Sequence, residues 1–492
     1  MRGGDEAARR RLRRRPPQLA IVVVLASSGL AAAFMFTLVV PIQAQLPELL
    51  DAGRDDTAWV VTSTLLASAV ITPISGRLGD MYGKRRILMA LLAVLVVGSV
   101  IAALSDGLAG VVVGRTLQGA VTGAVPLGIA IIRDVVHPER VAESVAVVSA
   151  TMGVGGALGM PLSAFITQVA DWHALFWMAA TLGGVVLLFV WWIVPVSVMR
   201  TAGRFDFVGA LGLAIGLLGV LLAISRGNAW GWTSPWVLLA GVGGIVMLGL
   251  WGWFELRISQ PLLDLRIAAR PAVLLTNIST IAFGFALFTS NVAYPQLLEM
   301  PLGVGGFGLT LFNASLVVMP AGLMMMILSP FAGRLAGKLG PQPLLVWGAT
   351  AVLAAYAFTL LFAAQVWQIV VANLLIGIGF GFAAMPMLIM RSVPQSETGA
   401  SNGVNALCRS LGTSSAAAVI GAVLAADTIP YDGGQAPTPA AFEASFLIGI
   451  AAAIVALVVA LFVPRRQDPH EQHPSFPAAP PGAAPSSAPD AA

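Results

Sequence analysis

Residues Gly76–Arg86 read G-R-L-G-D-M-Y-G-K-R-R, and this stretch sets the frame for the rest of the chain. Five of its eleven residues are charged and three are glycine, yet long apolar runs, Trp59–Ser75 and Ile87–Leu104, flank it on both sides. A turn this short and this charged between two bilayer-length segments belongs at a membrane surface. The Lys84-Arg85-Arg86 cluster assigns it to the cytoplasmic side, because short cytoplasmic loops carry the Lys/Arg excess. Gly76, Gly79 and Gly83 allow two helices to approach closely and reverse direction. Asp80 is the one acid among four cations, Arg77, Lys84, Arg85 and Arg86, so a specific partner is expected for it.

Composition agrees with that frame. The chain has 492 residues, of which 58% are hydrophobic and 10% charged, and its mean hydropathy is +0.88. Soluble domains carry roughly 25% charged residues, so this surface is one that faces lipid. The net charge of +4 does not indicate nucleic acid, because the cations fall in an N-terminal arm and in short loops rather than on one face. The one cysteine, Cys408, rules out an intramolecular disulfide, and four scattered histidines give no metal-ligand spacing. No cofactor is expected. The basic arm followed by an apolar run of about twenty residues reads as a first membrane helix, since a signal h-region is usually about 7–15 residues.

About fourteen apolar spans follow, the first at 19–41 and the last at 443–463, separated by short Gly-, Pro- and charge-marked connections. With the N-terminus inside, 23 of the 27 Lys/Arg fall on one side and only Arg54 and Arg226 on the other. Arg115 and Arg409 lie within spans. Both termini are therefore expected in the cytoplasm. The chain also echoes itself. Gly333–Gly340, G-R-L-A-G-K-L-G, follows span 10 as G-R-L-G-D-M-Y-G follows span 2, and Arg115-x3-Gly119-x3-Gly123 in span 4 returns as Asn373-x3-Gly377-x3-Gly381 in span 12. An offset of eight spans predicts two six-helix halves separated by two inserted helices, the repeat architecture of secondary transporters. The divisions are a basic arm at 1–18, a first half at 19–200, an insertion and linker at 201–270, a second half at 271–463, and a Pro/Ala/Ser-rich tail at 464–492.

The motifs carry a family resemblance. G-x-L-G-D-x-x-G-K-R-R resembles the loop between helices 2 and 3 of major facilitator superfamily transporters. Arg115-Thr116-Leu117-Gln118-Gly119 resembles the superfamily's R-x-x-Q-G motif, associated there with proton coupling. An Arg at membrane depth marks a functional pathway or snorkels to an interface. Gly155, Gly159 and Pro161 on span 5 resemble the antiporter motif G-x-x-x-G-P-x-x-G-G, with Met160 where Pro is expected and Ser163-Ala164 replacing the glycine pair. Asp171–Trp177, Asp206-x-x-Gly209, Gly231-Trp232 and Gly399–Gly412 are similar to the fourteen-helix drug:proton antiporter branch.

The resemblance implies an all-α integral membrane protein of the major facilitator fold. It implies proton-coupled export of lipophilic small molecules or drugs by alternating access from the plasma membrane of a bacterium, the protein working as a monomer with no enzymatic activity. Gly76, Arg77, Gly79, Asp80, Gly83, Lys84, Arg85 and Arg86 would then form a conformational latch, with Asp80 holding the N-terminus of a second-half helix beginning near Thr398–Asn402, and the latch would be one-sided, because Gly337 replaces the acid in the second copy. A uniporter or symporter of a small anionic or neutral metabolite is the alternative.

Span 1 departs from the branch: the acid many of these exporters carry falls at about Met35. No carboxylate lies near any helix centre, which favours neutral or anionic substrates over cations. Protons would then be carried by rim acids, Asp55, Asp56 or Glu299. Arg115, Gln118, Gly119 and Arg409 form the expected coupling network. Phe36, Asn277, Asn291, Tyr294, Gln296, Asn313, Asn373 and Asn405 are candidate cavity residues, each also able to serve as an interhelical hydrogen-bonding group.

Overall fold

The computed structural model describes residues 17–43, 45–196, 204–259, 261–379, 381–431 and 434–464. The basic arm, apart from Pro17 and Gln18, lies outside the described residues, as does the tail beyond Pro464. Among the described residues, thirteen helices are long and apolar enough to cross a membrane.

The first six spans are α1 (Gln18–Thr37), α2 (Trp59–Tyr82), α3 (Lys84–Ala103), α4 (Leu108–Val135), α5 (Pro138–Val169) and α6 (His173–Ile193). The insertion is α7 (Phe207–Trp230) and α8 (Pro235–Glu255). The last six are α9 (Pro271–Glu299), α10 (Leu311–Leu339), α11 (Gln342–Phe362), α12, α13 (Thr398–Ala426) and α14 (Pro439–Phe462). The α12 span is the one that falls short as a single helix, because it is built of two pieces, Val366–Gly377 and Gly381–Ser392.

Local chemistry sets many of the helix ends. Proline, which has no N–H to lose, opens α5, α8, α9 and α14. Asp206, Thr310 and Thr438 side chains accept a backbone N–H at the starts of α7, α10 and α14. Between α5 and α6, Asp171 accepts the His173 backbone N–H at 2.9 Å and pairs with its ring. Those bonds hold the Asp171 carboxyl below the usual carboxylate range.

The structure corrects the expected loop at Gly76–Arg86. Helix α2 runs on through Tyr82, Gly83 alone makes the turn at φ 108°, and α3 begins at Lys84. A side chain at Gly83 would be strained there. Gly340 ends α10 with φ 85°, so the last glycine of each copy of the repeat performs the same reversal. Arg226 is also corrected. It is not in an outer loop but within α7, buried, with its guanidinium 4.5 Å over the Trp59 ring of α2. Met325 is buried, and Gly153 of α5 makes room for it. The 427–442 connection contains a hairpin, β1 (Thr428–Tyr431) paired antiparallel with β2 (Gly434–Pro437).

Packing repeats with the same offset as the sequence. Helix α1 packs on α5 and α9 on α13; α2 packs on α4 and α10 on α12; α3 packs on α6 and α11 on α14. Both echo motifs mark broken helices. The α4 span passes through a 3-10 turn at Ala120–Gly123, and α12 breaks before Gly381. Gly119 approaches the Thr64 carbonyl of α2 just as Gly377 approaches the Ala321 carbonyl of α10. Two pairs then join the halves, α2 with α13 and α5 with α10. Helix α7 leans on both α2 and α13, closing one hydrophobic cluster with Leu66 and Ala69 of α2 and with Ala400 and Leu407 of α13.

Candidate functional site

The strongest concentration of buried charge sits where α2 meets α13, at the end of the bundle that carries the basic loops. Gly76 and Gly399 bring the two backbones together: a Cβ on Gly76 would collide with the Gly399 carbonyl. One turn on, Asp80 is buried and accepts the backbone N–H of Ala400 at 2.9 Å and of Gly399 at 3.3 Å. The first N–H groups of a helix have no partner within it and carry its positive dipole end, so a carboxylate there is doubly favoured. Gly399 is also required locally, because a Cβ there would lie 2.8 Å from the carboxylate.

Lys84, expected as a surface cation, is buried. Its Nζ lies 2.7 Å from Asp134 of α4 and 3.7 Å from Asp80. Arg133, beside Asp134, reaches across to the second half. It donates to Thr398 Oγ1 at 2.6 Å and to the Val393 carbonyl at 3.1 Å, while the Gln395 amide donates back to the Arg133 carbonyl at 3.3 Å. From the sequence, Lys84 belongs to the latch stretch, whereas Arg133 is assigned to topology alone. The signal that could have found Arg133 is the adjacent Arg133-Asp134 pair ending span 4, which a loop chosen only for net positive charge does not need. Arg77 shares its electrostatic surroundings with Glu397, just before α13. Arg85 donates to the Trp191 carbonyl of α6, within its own half.

The other seam, between α5 and α10, has a different chemistry. Gly322 packs on Ala157 and the Gly153 backbone, and Gly333 on the Glu143 backbone. Its one ion pair among the described residues, Arg334 with Glu143 at 3.1 Å, has side chains 68% and 33% exposed. Gly337, the counterpart of Asp80, has open space at its Cβ position.

Arg115 is buried inside the first half. It donates to the Met35 carbonyl at 2.9 Å, the Val60 carbonyl at 3.2 Å and Gln118 Oε1 at 2.9 Å, and Gln118 in turn donates to Ser99 at 2.8 Å. Met35 lies in the last turn of α1, where carbonyls lack helical partners and carry the negative dipole end. A guanidinium there satisfies them without an acid. The antiporter-like glycines face α1 rather than a cavity: Gly155 packs on Ala33 and Gly159 on Thr37, and Pro161 is buried one turn along.

Of the candidate cavity residues, one pair, Asn277 and Asn405, is joined by a hydrogen bond. Asn405 donates to Asn277 and Thr280, each at 2.9 Å, stitching α13 to α9 within the second half. Tyr294 is fully buried, bonded to Thr359 at 2.7 Å and packed against Tyr356 and Phe446. Asn373 is buried and donates to the Ile369 carbonyl of its own helix. Asn291, Gln296 and Asn313 are exposed, Phe36 is half-buried, and Arg409 is half-buried with its backbone over Gly284 of α9. Of the rim acids, Asp56 and Glu299 are exposed at the end opposite the basic loops; Asp55 lies in the short helix Arg54–Thr57 beside Asp56.

Comparison with known proteins places this architecture. The sequence pattern of the Major Facilitator Superfamily matches residues 25–207 and 197–417. The chain is 25% identical over 407 residues to multidrug resistance protein Stp of Mycobacterium tuberculosis, covering 81% of this chain and 75% of that one. It is 25% identical over 451 residues to lincomycin resistance protein LmrB of Listeria monocytogenes, covering 89% and 94%. Among solved structures, the human organic anion transporter MFSD10 aligns with a TM-score of 0.63 at 15% identity, over 91% of this chain and all of that one. The proton:xylose symporter XylE aligns with a TM-score of 0.60 at 14% identity, over 91% and 96%. With two repeated six-helix halves, two inserted helices and a family match across most of its length, this chain belongs to the major facilitator superfamily and is a multi-pass membrane transporter.

Proposed function

We propose that this transporter exports lipophilic small molecules, drugs among them, from the cytoplasm, driven by the proton gradient. Both termini are cytoplasmic in this reading, so the basic-loop end is the inner end. The observation that carries alternating access is the seam itself. The inter-half hydrogen bonds and ion pair described above all gather at the basic-loop end, which supports reading this as an outward-facing arrangement held by Asp80 on α13. A contact made in one arrangement and lost in the other biases the equilibrium between them. The relatives' names, multidrug and lincomycin resistance, support drug export.

A preference for neutral or anionic compounds follows from charge. The spans hold no mid-membrane carboxylate, and Arg115 is hydrogen-bonded to carbonyls and an amide rather than paired with an acid, so its positive charge remains. Proton carriage falls to Asp55, Asp56 or Glu299.

Uptake by inside-out vesicles under an imposed pH gradient, over cationic, neutral and anionic dyes, tests the proposal. Gradient-dependent uptake of neutral and anionic dyes is expected. Equilibration without a gradient means a uniporter, and preference for cations refutes the charge argument. Neutralising all three rim acids while gradient dependence survives excludes them as carriers.

A further inference from the structure

The inserted pair α7–α8 stands outside both six-helix repeats, and its basic-loop end holds two carboxylates that the seam does not use. Asp206 caps α7, with Oδ1 accepting the Gly209 N–H at 2.8 Å. Glu255, the last residue of α8, is only 3% exposed, and its Oε2 accepts the Leu262 N–H at 3.0 Å. Each acid therefore has one oxygen held by a backbone N–H. The other two oxygens, Asp206 Oδ2 and Glu255 Oε1, are buried without a hydrogen-bond partner.

These two oxygens converge. A Cβ added at Gly209 would touch both, so the glycine of Asp206-x-x-Gly209 keeps open the notch in which they meet. Neighbouring charges are engaged elsewhere. Arg257 lies 3.9 Å over the Trp253 ring, and Arg266 donates to the Leu256 carbonyl at 3.3 Å. Asp264 caps the turn Leu265–Ala268, and Arg270 donates to the Ser392 carbonyl at 3.2 Å. Arg204 is exposed and makes an interaction of its own, and Arg77 of α2 acts electrostatically on Glu397 before α13, as do Asp264 and Arg270. The Trp251 indole, one turn before Glu255, makes no hydrogen bond of good geometry with it. Among the described residues neither acid has an ion-pair partner.

Two carboxylates desolvated side by side do not both remain ionised. A single proton gives both orphan oxygens a partner, and buried polar atoms are rarely left without one. We propose that Asp206 and Glu255 form a proton-binding site, with one proton shared between Asp206 Oδ2 and Glu255 Oε1. The proton fastens the base of α7 to the end of α8 and, through the Leu262 N–H, to the linker that leads into the second half. Leu262 and Leu263 belong to the hydrophobic cluster that spans α2, α7 and α13. Loss of the proton therefore sets two like charges against each other beneath the seam. The site stands apart from the translocation path and does not depend on the export reading.

The test is the pH profile of thermal unfolding of the full-length protein in lipid nanodiscs. The folded form keeps a proton that the unfolded chain, with ordinary carboxyls, releases at neutral pH, so wild-type stability falls as pH rises. A drop of several degrees from mildly acidic to mildly alkaline buffer is expected. In Glu255→Gln the amide donates to Asp206 without titrating, so the profile flattens and the variant melts above wild type at alkaline pH. Asp206→Asn, which keeps a good N-cap, flattens it too. Variants that retain the wild-type slope overturn the proposal. If neither variant folds, infrared spectroscopy of the wild type decides: a protonated-carboxyl C=O band at neutral pH, lost at alkaline pH, supports the site, and its absence at neutral pH refutes it. Stabilisation by sodium against choline at alkaline pH, with no carboxyl band, assigns the notch to a metal cation instead.

Discussion

The α2/α13 and α5/α10 seams occupy equivalent places in the two-fold repeat, yet they are held by different forces. Both use glycine to bring backbones together, at Gly76 against Gly399 and at Gly333 against Glu143. At the first seam a buried carboxylate then meets two N–H groups at a helix N-terminus. Hydrogen bonds to charged groups contribute about 1.5–3 kcal/mol each, and more of that survives away from water. At the second seam the equivalent acid is Gly337, and what remains is an exposed Arg334–Glu143 pair, the kind worth about 0–1 kcal/mol. The α5/α10 seam therefore rests mainly on packing, and the α2/α13 seam carries the buried polar contacts on which the proposed latch depends.

That contrast can be broken most severely at Gly76. In Gly76→Val the new side chain meets the Gly399 backbone, which has nowhere to yield, so the basic-loop end stays open. Spin-label distances between the ends of α2 and α13 should lengthen, and transport should be lost with membrane insertion intact.

Asp80→Asn comes next. An amide oxygen without charge keeps part of the hydrogen bonding but not the attraction to the helix end. A loss of roughly 1.4–2.8 kcal/mol corresponds to a 10- to 100-fold shift toward the inward-open state. Cysteine accessibility labelling on the two faces measures it, and an unchanged pattern reduces the stretch to a hairpin.

At the other seam, Glu143→Gln removes only an exposed pair, so the same labelling should move less than about fivefold, in line with a contribution under 1 kcal/mol. A larger shift there would erase the distinction between the seams.

The smallest effect sharpens the comparison from the opposite side. Gly337→Asp installs an acid where the Cβ has free space, one turn beyond Gly333, which packs on the Ala142–Glu143 backbone in the first turns of α5. Carboxylates near helix N-termini contribute about 0.3–1 kcal/mol. The outward-facing population should rise two- to fivefold, and Gly337→Ala, which adds no charge, is the control.

Much of the fold was legible because it is written in local properties of the chain. Hydrophobic run length and Lys/Arg bias gave the spans and their alternation, and the echoed glycines gave the halves. Gly83 and Gly340 turn the chain, and Gly119 and Gly377 let helices cross, whatever the surrounding sequence does. The site was legible only in part. Asp80 could be singled out because a lone acid among cations is unusual, and Lys84 came with it as part of the same stretch, whereas Arg133 was hidden in the positive-inside count, which treats every cation alike. Arg226 was misplaced for the same reason: a cation near a span end looks like a loop residue until the Trp59 ring is seen beneath it. Of the polar residues singled out in the second half, Asn277, Asn373 and Asn405 are buried while Asn291, Gln296 and Asn313 are exposed, and sequence could not distinguish a cavity wall from a stitch such as Asn405 to Asn277.

By itself, then, the sequence determined a membrane-embedded, internally repeated chain with one acid kept in one copy of a repeat and absent from the other. Periodicity, charge bias and repetition are properties of neighbours along the chain, and they survive without knowledge of the fold. Only the tertiary structure decided what that acid does. Asp80 and Gly399 are 319 residues apart, and nothing local to either sets them 3.3 Å from each other. That distance is fixed by glycine contacts between two whole helices, so the partner of Asp80, the burial of Lys84 and the meeting of Asp206 with Glu255 belong to packing rather than to pattern.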